Sequence, residues 1–220
     1  MTSQKEITTV MRLLGKEYKT FTKPIVTEIS EVDRNPFKVL ISTVLSLRTK
    51  DDVTAKASYR LFKEADTPKK MVKLSIKKIE KIIYPVGFYK TKALRIKEIC
   101  QILIDKYDSI VPDDIDELLK LKGVGRKTAN LVVGLGYERP AICVDIHVHV
   151  ITNRLNWVKT KTPDKTEFAL RKLLPKKYGI RINDYLVAYG QNICTTAYPK
   201  CGKCVIEKYC KYENKNLERK

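Results

Sequence analysis

The sequence predicts an all-α protein, and three observations carry that expectation. Apolar residues recur at helical spacing along nearly all of the 220 residues. The runs are punctuated by Ser, Thr, Asn or Asp, several followed at once by Pro, which is the pattern of helix starts. A single short segment, IHVHV from Ile146 to Val150, alternates with period two and finds no second strand to take its hydrogen bonds. It is therefore placed on a helix with Asp145 as its N-cap.

Taken in order, Ser3 and Glu6 have the capping-box spacing, and Ile7, Val10, Met11, Leu14 and Tyr18 follow one face of a first helix. A short linker containing Pro24 leads to Asn35 and Pro36, the N-cap and N1 of a helix whose apolar face is Phe37, Leu40, Ile41, Val44 and Leu45. After the polar break LRTKDD, Asp51 or Asp52 caps a helix running past Val53, Ala57 and Leu61, until Thr67 and Pro68 begin a short one. Ser75 precedes Ile76, Ile79, Ile82 and Ile83. Pro85 and Gly87 then leave Phe88 and Tyr89 at a turn before a long helix on Ile96, Ile99, Cys100, Leu103 and Tyr107. Pro112 and Asp113 open the run IDELLKL, and the turn Gly123, Val124, Gly125 joins it to a second run, RKTANLVVGLG. Thr162 and Pro163 start one more helix, and Asn183 the last, with Ile182, Leu186, Tyr189 and Ile193 in register. The final residues, ENKNLERK, read as a frayed tail.

With 43% apolar residues the chain can bury one large core or two small ones. Its 44 Lys and Arg against 25 Asp and Glu leave a net charge of +19, which points to a polyanion, nucleic acid being the commonest; the bland reading is a lysine-rich solvated surface. No run of 18 apolar residues could span a bilayer, and the first residues lack the apolar core of a signal peptide. The expectation is a soluble intracellular protein without disulfides. Four of the six cysteines crowd between Cys194 and Cys210, which reads as metal.

The chemistry concentrates in three places. A Gly123–Val124–Gly125 turn can take positive φ and bring backbone N–H groups against a phosphate, and Arg126 and Lys127 follow at once. The partial positive charge at a helix start disfavours a protonated amine, so Lys127 is a candidate nucleophile; its plain alternative is a phosphate-binding lysine. Asp145 stands alone in an apolar and imidazole-bearing run, where it caps a helix, does chemistry, or both. His147 and His149, two residues apart, do not share a helix face and are read as packing or supporting residues. Cys194, Cys201, Cys204 and Cys210 are separated by six, two and five residues. Zinc modules bring two close pairs, whereas here only Cys201 and Cys204 are close, so the spacing suits a cubane iron–sulfur cluster better. Lys200, Lys203 and Lys208 lie between or beside these cysteines and can be presented rigidly to phosphates.

Together, LKGVGRKTAN, VDIHVH with Asp145, and the C-x6-C-x2-C-x5-C loop resemble the endonuclease III branch of the helix-hairpin-helix DNA glycosylases. The resemblance covers nearly the whole chain. It implies two helical domains flanking a DNA-binding cleft: a six-helix barrel with the hairpin over residues 30–139, and a 4Fe-4S cluster domain built from residues 1–29 and 140–220. It also implies a monomeric bifunctional glycosylase and abasic-site lyase for oxidised pyrimidines in double-stranded DNA, with the damaged nucleotide flipped out. Such an enzyme would be cytoplasmic, at the nucleoid of a prokaryote or archaeon.

Carried over by position, Lys127 falls on the nucleophile, Asp145 on the catalytic aspartate, and the four cysteines on the cluster ligands. Phe88 in VGFYKTKA falls on the apolar wedge that fills the gap left by the flipped base, against the alternative of an ordinary core residue. Arg48, Lys92, Gly123, Val124, Gly125, Arg126, Lys200 and Lys203 are the remaining expected DNA contacts. Arg48 stands where bacterial members usually have glutamine, Ile146 where a threonine and Val150 where an arginine is expected, and His149 is closer to archaeal and eukaryotic members. These departures touch substrate choice, not the reaction class. The alternatives are a monofunctional mismatch or uracil glycosylase in which Asp145 activates water, and a non-catalytic, redox-sensing DNA-binding module.

Overall fold

The computed structural model describes residues 3–218, and all regular structure among them is helical; the last two residues of the expected tail lie outside that range. Ser3 Oγ accepts from Glu6 N at 3.1 Å and starts α1 (Gln4–Glu17), whose Ile7, Val10, Met11 and Leu14 are buried. The stretch after Pro24 forms a helix that the linker reading missed, α2 (Ile25–Asp33). Asn35 Oδ1 accepts from Phe37 N and Lys38 N and starts α3 (Pro36–Ser46). Asp51 and Asp52 do not cap from outside; they lie in the first turn of α4 (Asp51–Glu64), and Asp51 Oδ2 accepts instead from Ile25 N at 3.3 Å.

Thr67 and Ser75 cap α5 (Pro68–Met71) and α6 (Ile76–Ile83) as their sequences predict. Then comes α7 (Tyr89–Tyr107), with Phe88 at its N-cap. The next helix, α8 (Ile115–Leu119), begins later than Pro112 and Asp113, because Asp114 Oδ1 accepts from Asp116 N and Glu117 N. Beyond the glycine turn, α9 (Arg126–Leu131) widens into a π-helical segment, Val132–Gly136. The IHVHV segment is helical despite its alternation, as α10 (Ile146–Arg154), with Asp145 Oδ1 accepting from Val148 N at 3.0 Å. Thr162 caps α11 (Pro163–Leu173). The last helix, α12 (Arg181–Asn192), begins two residues before Asn183, which is buried within its first turn.

The chain divides into two compact units. One, residues 25–139, is organised around α3, which packs against α2, α4, α7, α9 and the π-helical segment. Because α2 packs on α3 and α4, the unit begins at Ile25 rather than at residue 30. The other unit joins residues 1–24 to 140–220. Its core brings Ile7, Val10, Met11 and Leu14 of α1 against Ile151 of α10, Leu170 of α11 and Leu186 and Tyr189 of α12, with Trp157 beside them. No helix among the described residues is long and apolar enough to cross a membrane.

Candidate functional site

The hairpin is built by α8, the turn and α9. Leu118 and Leu121 are buried, and Val124 N bonds back to Leu121 O at 2.9 Å, so the turn is anchored from its apolar side. Gly123 has φ +89, a conformation that a side chain would strain. Gly125 is the N-cap of α9, and a Cβ placed there would meet nothing within 4 Å, so this position has room for a side chain. Arg126 and Lys127, both half-buried, occupy its first two positions, where partial positive charge and N–H groups favour an anion.

Three of the expected DNA contacts of this unit come together, but not in the way their residue types suggest. Phe88 is 62% exposed and so is no core residue. The exposed Arg48 guanidinium lies 5.7 Å from the Phe88 ring centroid, a cation–π distance. Both residues have positive φ, 53 for Arg48 and 57 for Phe88, a conformation costing about 1–2 kcal/mol each outside glycine. Lys92 is turned inward. It is 7% exposed, and its Nζ donates to Leu45 O at 2.8 Å, Leu47 O at 2.5 Å and Thr49 Oγ1 at 3.1 Å, so it is corrected from a DNA contact to an internal clamp. The neighbouring Gly87 has no room for a side chain: a Cβ would stand 2.5 Å from Arg48 O. Lys92 could not have been found from its sequence, since a lysine next to an exposed turn defaults to solvent.

In the other unit, Asp145 is half-buried at the start of α10, where capping leaves Oδ2 outside that hydrogen bond. One turn on, His149 Nδ1 meets Thr166 Oγ1 at 2.7 Å, while His147 Nδ1 is buried with no hydrogen-bond partner.

The four cysteines of this unit line one cavity together with Arg154 and Tyr212. Two sulfurs receive donors: Arg154 Nη1 lies 3.2 Å from Cys194 Sγ, and Tyr189 Oη 3.2 Å from Cys204 Sγ. Hydrogen bonds to sulfur are what iron–sulfur ligands use to stabilise thiolate charge, so the donor set fits such a cluster. Lys200 N bonds Ile193 O and Cys204 N bonds Cys201 O, closing the loop on itself. Lys200 and Lys203 stay exposed on its rim. Among the described residues no group of three or more His, Cys, Asp or Glu meets the geometry for a single metal ion. Cys100, by contrast, is an isolated buried thiol that burial pushes up to about 12.

An open hairpin, an exposed aromatic turn and a cysteine-lined loop follow one another along an all-helical chain, and residues 41–176 match the model of the HhH-GPD superfamily of base excision DNA repair proteins. The chain belongs to that superfamily, in its endonuclease III branch. It is 49% identical over 180 residues to endonuclease III of Thermotoga maritima, covering 82% of this chain and 84% of the relative. A trapped endonuclease III–DNA covalent intermediate superposes with a TM-score of 0.84 at 34% identity, covering 96% of each chain. A thermostable thymine-DNA glycosylase superposes with a TM-score of 0.82 at 25% identity, over 94% and 96% of the two chains. The resemblance drawn from the hairpin, the VDIHVH run and the cysteine loop thus holds for this HhH-GPD chain.

Proposed function

We propose that this HhH-GPD protein is a bifunctional DNA glycosylase and abasic-site lyase that removes oxidised pyrimidines from double-stranded DNA, with Lys127 as nucleophile and Asp145 as its catalytic carboxylate. The observation that carries the reading is the likeness, over 96% of both chains, to an endonuclease III trapped in a covalent intermediate with DNA, together with the Lys127 amine in the first turn of α9 behind the glycine turn.

The neutral Lys127 amine attacks C1′, the bond from C1′ to the base breaks, and the base leaves with its electron pair and takes up a proton. Lys127 first gives up its ammonium proton to solvent, and Asp145 is the proposed carboxylate for the positive charge that develops on the sugar. Ring opening gives an iminium on Lys127. Loss of the C2′ proton then expels the 3′ phosphate, cutting the strand, and water returns the amine by hydrolysis. The backbone N–H groups at Gly125 and Arg126 hold the phosphodiester, while Phe88 and Arg48 occupy the gap left in the helix. Cys194, Cys201, Cys204 and Cys210 would hold a 4Fe-4S cluster, which when bound supplies a rigid cross-link of their loop; Lys200 and Lys203 then face phosphates in fixed positions. Such an enzyme works wherever chromosomal DNA is housed.

Borohydride reduction on a duplex with one abasic site tests the reading. The expected result is a covalent protein–DNA band that disappears in Lys127→Ala; no band from the unmutated protein, on a duplex it is seen to bind, would sink the lyase. The likeness to a thymine-DNA glycosylase supports one second reading, a monofunctional enzyme in which Asp145 activates water. Base release retained by Lys127→Ala would favour it.

A further inference from the structure

We propose that Lys92 is a positioning residue for strand insertion: its ammonium ties the loop bearing Arg48 to the turn bearing Phe88, so that both side chains meet the duplex as one preassembled unit. The inference rests on the reading of Phe88 as the wedge.

The geometry is a clamp across two distant stretches of sequence. Lys92 sits in the first turn of α7, where its backbone N–H bonds Phe88 O at 3.0 Å. Its side chain crosses to the end of α3 and spends all three ammonium hydrogens there, on Leu45 O, Leu47 O and Thr49 Oγ1. Thr49 Oγ1 also accepts from Gly87 N at 3.2 Å, which makes this hydroxyl common to both stretches. The backbones then approach so closely that Gly87 has no space for a Cβ beside Arg48 O. On the far side of the turn, Arg60 of α4 donates to Ile82 O at 2.8 Å and Tyr84 O at 2.7 Å.

Two residues in left-handed conformations and one exposed aromatic ring would not hold this arrangement unaided, because each has more favourable alternatives. A methionine would fill the volume of Lys92 equally well, so a merely packed side chain needs no ammonium here. An unclamped turn would have to be ordered during binding, at the expense of the inserted state.

A double-mutant cycle on the full chain tests the proposal, using Lys92→Met, Phe88→Ala and the pair. Single-turnover excision of thymine glycol from a duplex is measured beside the signal of a fluorescent adenine analogue opposite the lesion, which reports insertion. Each single variant is expected to slow excision by about 10- to 100-fold and to lose the fluorescence change, and the double variant to be no slower than Phe88→Ala. Excision by Lys92→Met at the unmutated rate, or effects that multiply in the double variant, would overturn the positioning role. Phe88→Ala without effect would instead overturn the wedge reading itself. Should Lys92→Met fail to fold, Thr49→Val removes the shared acceptor while leaving the amine its two carbonyls, and enters the same cycle with the same expectation.

Discussion

Arg154 Nη1 lies 3.2 Å from Cys194 Sγ, so the helix that Asp145 caps at one end meets a cysteine of the loop at the other. The same guanidinium donates to Thr195 O at 2.9 Å and Thr196 O at 2.7 Å and stacks 4.4 Å from the Tyr212 ring. A planar fork serves three acceptors and a ring at once, which a lysine could not do. Arg154→Lys is therefore expected to behave almost as badly as Arg154→Leu. Each is expected to lose about 2 kcal/mol from the folded loop and, with the proposed cluster bound, to give up its iron to a chelator several-fold faster than the unmutated protein. Visible absorbance during chelation checks this, and equal release rates in all three proteins would refute it.

Capping and catalysis at Asp145 can be separated. Asparagine caps a helix as well as aspartate, so Asp145→Asn is expected to keep its melting temperature while base excision falls by about 10²- to 10⁴-fold. Asp145→Ala is expected to lose the cap too, about 1 kcal/mol. Thermal melts beside single-turnover excision distinguish the two roles; an Asp145→Asn enzyme of full activity would leave this carboxylate as a cap only.

Burial pushes Lys92 down to about 8 from its ordinary 10.5. Between those values the unfolded chain holds a proton that the folded chain has released, so the contribution of Lys92 to stability rises with pH across the window, by at most about 3 kcal/mol. Below it both states are protonated and the folded one bears the whole cost of a buried charge. Activity is expected to move the other way, because a neutral amine has two hydrogens for three acceptors and the clamp slackens. Denaturant midpoints and excision rates on both sides of the window check the opposed trends; the stability of the unmutated protein relative to Lys92→Met is expected to rise with pH over it, since buried thiols such as Cys100 titrate alike in both.

What the sequence makes legible follows from how local each signal is. Ser3, Asn35, Thr67, Ser75, Asp145 and Thr162 bond to N–H groups two or three residues ahead, so their helix starts can be read from a short window. The four cysteines lie within one loop, and their convergence is likewise local. By contrast, α2 follows a proline in a stretch without such a cap signal, and its start is fixed by Asp51, 26 residues away. Lys92 answers to carbonyls more than 40 residues upstream. Its role depends on which way a flexible side chain turns, and that is decided by packing.

The unit made from residues 1–24 and 140–220 also has a consequence for how the protein is made. The stripe of Ile7, Val10, Met11 and Leu14 leaves the ribosome early, yet it packs with Leu186 and Tyr189 of α12, which are synthesised more than 170 residues later. Residues 25–139 form a continuous unit that can fold meanwhile, since domains generally fold as units during synthesis. During translation α1 is thus an apolar surface awaiting its partner. The cysteine loop can close only after that wait has ended.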